Sequence, residues 1–198
     1  MDNYIRKHAK RDVPELESLQ GELKHERHKR RFRRLLRSTL NALIVVAAAA
    51  ALIATLLLPV LQIAGTSMEP SLNDGDIVLL VKTNQLETGD LCAFYYSNKI
   101  LIKRVIGTPG DYLWIEADGT VFLNGEPLDE PYISEKALGE CDVEFPYQVP
   151  ENSYFVMGDH RETSIDSRSS VIGCIAQDQL IGKIFCKFWP LSELEFMN

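Results

Sequence analysis

Paired metal ligands are missing from this 198-residue chain. Its four cysteines, Cys92, Cys141, Cys174 and Cys186, lie far apart, with no close pair at the spacing of a zinc site. Neither a metal centre nor any other cofactor is expected. The thiols read either as small buried apolar residues or as disulfide partners in an oxidising exterior. Charge is missing too, from Ser38 to Met68. Water-soluble cores do not need so long a neutral run, and the stretch Ser38 to Leu58 would measure about 32 Å as a helix, matching a hydrocarbon core of roughly 30 Å. The expectation is one transmembrane anchor helix over residues 38–60, with Pro59 marking its end because proline cannot continue a helix. A cleaved secretory signal is the competing reading, but the polar leader and the apolar run are both longer than such signals carry.

Beyond the span, basic residues become scarce. Residues 1–37 carry 12 Lys and Arg against 6 Asp and Glu, whereas residues 38–198 carry 9 against 22, so the two parts stand at +6 and −13. Lys24, Arg27, Lys29, Arg30, Arg31, Arg33, Arg34 and Arg37 crowd against the start of the span. By the positive-inside rule residues 1–37 form a cytoplasmic basic tail, and the acidic remainder lies outside the cell membrane. A basic run can bind nucleic acid. Set flush against a span, it points instead to anionic membrane lipids, and no nucleic-acid partner is expected.

Residues 61–198 read as a mainly β domain, a small antiparallel barrel or sandwich of roughly 130 residues. Apolar runs of four to seven residues alternate with Gly, Asp, Asn and Pro. The runs predict strands at Ile77 to Val81, Leu91 to Tyr96, Ile100 to Ile106, Tyr112 to Ala117, Thr120 to Leu123, Ser153 to Met157 and Leu180 to Phe188. Asp118-Gly119 and Asn124-Gly125 suit the positive φ angles of tight hairpins. Residues 126–150, acidic and proline-rich, predict a long excursion between strands.

Two residues stand out as chemistry. Ser67 lies nine residues beyond Leu58, and Lys103 sits inside Ile100-Leu101-Ile102-Lys103-Arg104-Val105-Ile106. A serine hydroxyl attacks only when a base takes its proton. Histidine is scarce: His8, His25 and His28 fall in the basic tail, which leaves only His160 beyond the span. A neutral lysine can serve, yet with an ordinary pKa of about 10.4 only about four lysines in ten thousand are neutral at pH 7. Burial among apolar side chains is what lowers it. On a strand, Lys103 shares its face with Leu101 and Val105, which supply that environment.

Four ordered boxes extend the pattern: Ser67-Met68-Glu69-Pro70-Ser71-Leu72; Gly75-Asp76-Ile77-Val78; Lys103-Arg104-Val105 with Gly107-Thr108-Pro109-Gly110-Asp111; and Gly158-Asp159-His160-Arg161 through Ser164, Asp166, Ser167 and Arg168. Asn124-Gly125-Glu126-Pro127-Leu128 and Glu130-Pro131-Tyr132 lie between the last two. Behind an N-terminal anchor, this resembles the bacterial type I signal peptidases over roughly residues 40–190. The resemblance implies a membrane-bound serine endopeptidase in which Ser67 attacks the scissile carbonyl, Lys103 is the general base, and an acyl-enzyme is hydrolysed in turn. It further implies that Ser164 orients Lys103, that Asp159 pairs with Arg104 and that Asp166 pairs with Arg168. The substrates it implies are preproteins with N-terminal signal peptides, cut after small residues in an Ala-x-Ala pattern.

Two positions depart from that pattern. Gly65 stands where some members offer a serine side chain to the oxyanion, leaving the backbone amide of Ser67 and a second donor still to be supplied. His160 replaces a usual asparagine and reads as a structural residue. Ile63, Ala64, Gly65, Met68 and Ile102 are expected to bind substrate, with Gln62 to Met68 as a strand pairing with the extended preprotein. Competing readings are a peptidase dedicated to one substrate, an inactive membrane-anchored binding domain, and a self-cleaving repressor, which would carry a DNA-binding domain where this chain has a span.

Overall fold

The computed structural model describes residues 16–57 and 59–197; the first 15 residues of the expected basic tail lie outside them. A single helix, α1 (Leu16–Leu57), runs for 42 residues. Within it, Arg31–Ile53 is long and apolar enough to cross a membrane, with a mean hydropathy of 1.9. The side chains from 31 to 53 are exposed. The expected anchor boundary at residue 60 changes in one respect: Val60 already belongs to a strand, because the helix ends before Pro59.

The rest of the described chain is a mainly β unit, as its alternating sequence predicts. In chain order its strands are β1 (Val60–Gln62), β2 (Ile77–Val81), β3 (Leu91–Tyr96), β4 (Lys99–Gly107), β5 (Tyr112–Ile115), β6 (Val121–Leu123), β7 (Glu126–Pro127), β8 (Tyr147–Gln148), β9 (Ser153–Met157), β10 (Ile175–Ala176), β11 (Leu180–Trp189) and β12 (Glu195–Phe196). They form two antiparallel sheets. The larger runs β1-β2-β11-β3-β4-β9-β10, with β12 on β11; the smaller runs β7-β6-β5-β8. Asn124 and Gly125, at φ 53° and 89°, make the tight turn between β6 and β7, where a left-handed backbone favours those two residue types.

Burial follows pairing. Strand β3 lies between β11 and β4, and Leu91 to Phe94 are buried on both of its faces. Strand β4 pairs with β3 from Lys99 to Arg104 and with β9 only from Arg104 to Gly107. Its side chains are accordingly exposed or half-buried from Lys99 to Ile102 and buried from Lys103 onward. Three apolar clusters form the core. One packs Ile63, Met68 and Leu72 against Val78, Leu80, Leu91 and Ile184, anchoring the loop that carries Ser67. A second lies around Phe94, Val105 and Val156, and a third joins the sheets through Ile106, Leu113, Val121, Phe155 and Met157.

The expected strand over Gln62 to Met68 is not formed. Pairing with β2 continues to Ile63, whose amide reaches the Asp76 carbonyl at 2.8 Å, and then the chain turns through Gly65 at φ +95°. A left-handed residue breaks the extended backbone there. All four cysteines are free thiols.

Candidate active site

Ser67 sits at the start of a tight turn whose neighbours Met68 and Leu72 are buried, so its half-buried hydroxyl is held at the surface by residues fixed in the core. Lys103 sits on β4 just before its pairing with the neighbouring strand β9 begins at Arg104, and only 4% of it is exposed. Its Nζ lies 2.8 Å from Ser67 Oγ and 2.9 Å from Ser164 Oγ. Burial brings the lysine pKa down from 10.5 to about 8; the carboxylates of Asp166 and Asp159 oppose that shift, and the Arg168 guanidinium adds to it. At pH 7 such a lysine is neutral in about one molecule in ten. An unprotonated amine in contact with a hydroxyl can accept its proton.

The surrounding charges are paired. Arg104, pointing to the face opposite Lys103, grips Asp159 with Nε at 2.8 Å and Nη2 at 2.6 Å. The same guanidinium donates to the Gly89 carbonyl and Ser71 Oγ, and stacks 3.8 Å from the Tyr132 ring centroid. Asp166 receives Arg168 Nε and Nη2, each at 2.9 Å, and its Oδ2 also accepts the Gly158 amide at 2.9 Å. Arg168 donates onward to the carbonyls of Arg161, Ser164 and Leu138, tying the excursion after β7 to the segment that carries Ser164. Both members of this pair are fully buried, a placement that requires such complete pairing.

Ile63, Ala64, Gly65, Met68 and Ile102, singled out from sequence, line one cavity of about 230 Å³ together with Ser67, Lys103, Leu61, Gln62, Ile100 and Leu101. It runs between the end of β1 and the part of β4 that β9 leaves unpaired. The hydrogen bonds of His160 go elsewhere than to the lysine amine: its amide donates to the Ser67 carbonyl at 3.1 Å and its ring Nδ1 meets Thr163 Oγ1. Gly65 does not lend its own amide to the cavity, since that N–H donates to Asp74 Oδ1 at 2.8 Å.

Three features escaped the sequence reading. Arg161 and Glu130, 31 residues apart, form a buried ion pair. Tyr132 covers Arg104. Lys187 is as buried as Lys103, facing Glu193 at 3.1 Å and Asp76 at 3.9 Å. Glu130, Tyr132 and Arg161 all lie in quoted boxes, yet nothing in their spacing announces who meets whom.

A serine hydroxyl in contact with a desolvated lysine, in a β domain with an open strand-lined cleft, is the constellation of a serine-lysine hydrolase. Comparison with known proteins narrows that class. Residues 36–189 match the family described as signal peptidase, peptidase S26. A signal peptidase IB of Staphylococcus aureus (strain MRSA252) is 37% identical over 154 residues, covering 68% of this chain and 79% of that protein. Signal peptidase I of Bacillus licheniformis is 35% identical over 167 residues, 78% of this chain and 89% of that protein. A crystal structure of a signal peptidase I from Enterococcus faecalis V583 shares 29% identity at a TM-score of 0.41, covering 50% of this chain and 96% of that one. The chain belongs to the signal peptidase family, peptidase S26, and is a serine peptidase.

Proposed function

We propose that this protein removes N-terminal signal peptides from exported preproteins, with Ser67 as nucleophile and Lys103 as general base. The observation that carries the reading is the 2.8 Å contact between Lys103 Nζ and Ser67 Oγ at a lysine whose pKa is brought down to about 8. Neutral Lys103 takes the Ser67 proton as Oγ attacks the scissile carbonyl. The resulting ammonium then gives the proton to the departing amine of the mature protein. A water molecule, deprotonated by the same lysine, hydrolyses the acyl-enzyme. Ser164 fixes the direction of the amine, while the Arg104–Asp159 and Arg168–Asp166 pairs hold the two segments together around it.

Substrate enters extended, its backbone pairing along the cavity between β1 and β4. Ala64 and the half-buried Ile102 lie beside the buried Ile63 and Met68 in this cavity of about 230 Å³, a space shared by several substrate residues and so suited to small side chains in an Ala-x-Ala pattern. Residues 1–37 are cytoplasmic beside anionic lipid, the uncharged part of α1 from Ser38 onward spans the cell membrane once, and the β domain works outside.

Processing of a preprotein by wild type, Ser67→Ala and Lys103→Ala tests the dyad. Both variants are expected to lose at least a thousandfold in kcat. For wild type, kcat/KM should rise about tenfold per pH unit below pH 8 and level off above it, because only neutral lysine is active. Equal processing by all three proteins, or a profile flat from pH 6 to 9, rules the assignment out.

A further inference from the structure

The segment Gly65–Ser67 is braced by a turn that lies beyond it in sequence. Ile63 donates its amide to the Asp76 carbonyl at 2.8 Å, and Gly75 donates to the Ile63 carbonyl at 3.0 Å, so the turn over 73–76 is stitched to the chain just ahead of Ser67. Asp76 is buried; its Oδ2 accepts the Asn73 amide at 2.8 Å and faces buried Lys187. The turn is thus fixed by backbone on one side and by charge on the other. From its tip, Asp74 Oδ1 accepts the Gly65 amide at 2.8 Å, with Gly65 in the left-handed region at φ +95°.

What this leaves unoccupied is informative. The Thr66 carbonyl accepts the Glu69 amide and the Ser67 carbonyl accepts the His160 amide, each at 3.1 Å. The amides of Thr66 and Ser67 donate to no partner among the described residues. Successive free amides beside a left-handed residue make an anion-binding concavity. An oxyanion needs such donors placed before the reaction begins.

We propose that Asp74 is a positioning residue: by holding the Gly65 amide it sets the following two peptides so that the free amides of Ser67 and Thr66 face the oxygen that becomes negative on acylation. The inference rests on Ser67 being the nucleophile. It answers for Gly65, which has no side chain to offer: the second donor is the neighbouring backbone amide, and Asp74 aims it. Because Asp74 itself touches neither substrate nor Lys103, its effect passes through backbone geometry. Loss of the tether therefore slows the chemical step and leaves substrate binding intact, since a displacement of about 1 Å at reacting groups can cost up to a hundredfold.

Steady-state kinetics on a preprotein, with the full-length enzyme, tests this through Asp74→Ala, Asp74→Lys and Asp74→Asn. Alanine and lysine cannot accept the Gly65 hydrogen bond, and kcat should fall about tenfold in each with KM within about twofold. Asparagine keeps the accepting oxygen and should restore kcat to within about threefold of wild type. Thermal melts report whether any loss follows unfolding. Unchanged kcat in both non-accepting variants, a loss confined to KM, or an Asp74→Asn enzyme as slow as Asp74→Ala overturns the proposal. Ser67→Ala run in parallel separates the two readings. Residual full activity there removes the nucleophile itself, whereas an inactive Ser67→Ala beside a fully active Asp74→Ala removes only the role of Asp74.

Discussion

A Cβ at Gly158 would collide with the Ser164 hydroxyl and stand 2.6 Å from the Ser67 carbonyl oxygen. Glycine is needed here for close approach, since this is where the strand β9 and the loop of Ser67 converge on Lys103. Gly158→Ala must push Ser164 and Ser67 apart, and both are partners of the lysine amine. The expected result is at least a hundredfold loss of kcat together with a lower melting temperature, measured on a preprotein and by circular dichroism. Wild-type activity in Gly158→Ala would mean that the hydroxyls need not be so close. Lys187 makes a different point at the same scale. It too sits in an apolar strand and is as buried as Lys103, but it faces the carboxylates of Glu193 and Asp76. A lysine in an aliphatic run is therefore a sign of burial; whether it becomes a base depends on whether hydroxyls or carboxylates meet it.

Among the elements, β4 does most to organise the site because its pleat separates two cations that are adjacent in sequence. Lys103 turns toward the hydroxyls and Arg104 toward Asp159, so one loses water without a counter-ion and the other is fully paired. The excursion between β7 and β8 is bound to the segment after β9 by the Glu130–Arg161 pair, whose side chains are 2% and 1% exposed. Arg161→Met leaves a buried carboxylate alone and should cost about 3–5 kcal/mol. Replacing both residues, as Glu130→Gln with Arg161→Met, should recover part of that loss. Urea denaturation of the three proteins measures it, and a single variant as stable as wild type would show that water already reaches Glu130. Strand positions were legible in sequence wherever an apolar run met turn residues: Ile77 to Val81, Leu91 to Tyr96 and Ser153 to Met157 match β2, β3 and β9 end to end. That no strand forms before Ser67 was not legible, because the apolar residues Ile63 and Met68 suit a strand while their burial comes with a turn.

For the whole molecule, the charge division between +6 and −13 governs the proposed topology. Protease added outside intact cells or spheroplasts should digest the β domain and spare an epitope within residues 1–30; the reverse pattern would place the acidic domain in the cytoplasm. Composition could suggest this arrangement because membrane insertion reads a linear pattern of charge and apolarity. The convergence of Ser67, Lys103 and Ser164 had no such linear trace. The residues could be named through the ordered boxes, but their meeting depends on sheet register and on glycines that admit close contact. Asp74 left no trace at all, as one acidic residue in a turn looks like any other.

That dispersal has a consequence for when the protein can act. The two hydroxyls that meet the lysine amine lie 36 and 61 residues away from it along the chain. In a partly synthesised or unfolded polypeptide Lys103 is hydrated and positively charged, and Ser67 is inert. Under the proposed serine-lysine mechanism, proteolytic competence is thus conferred by completion of the tertiary structure itself, and the nascent chain cannot attack itself or its neighbours while it is being made.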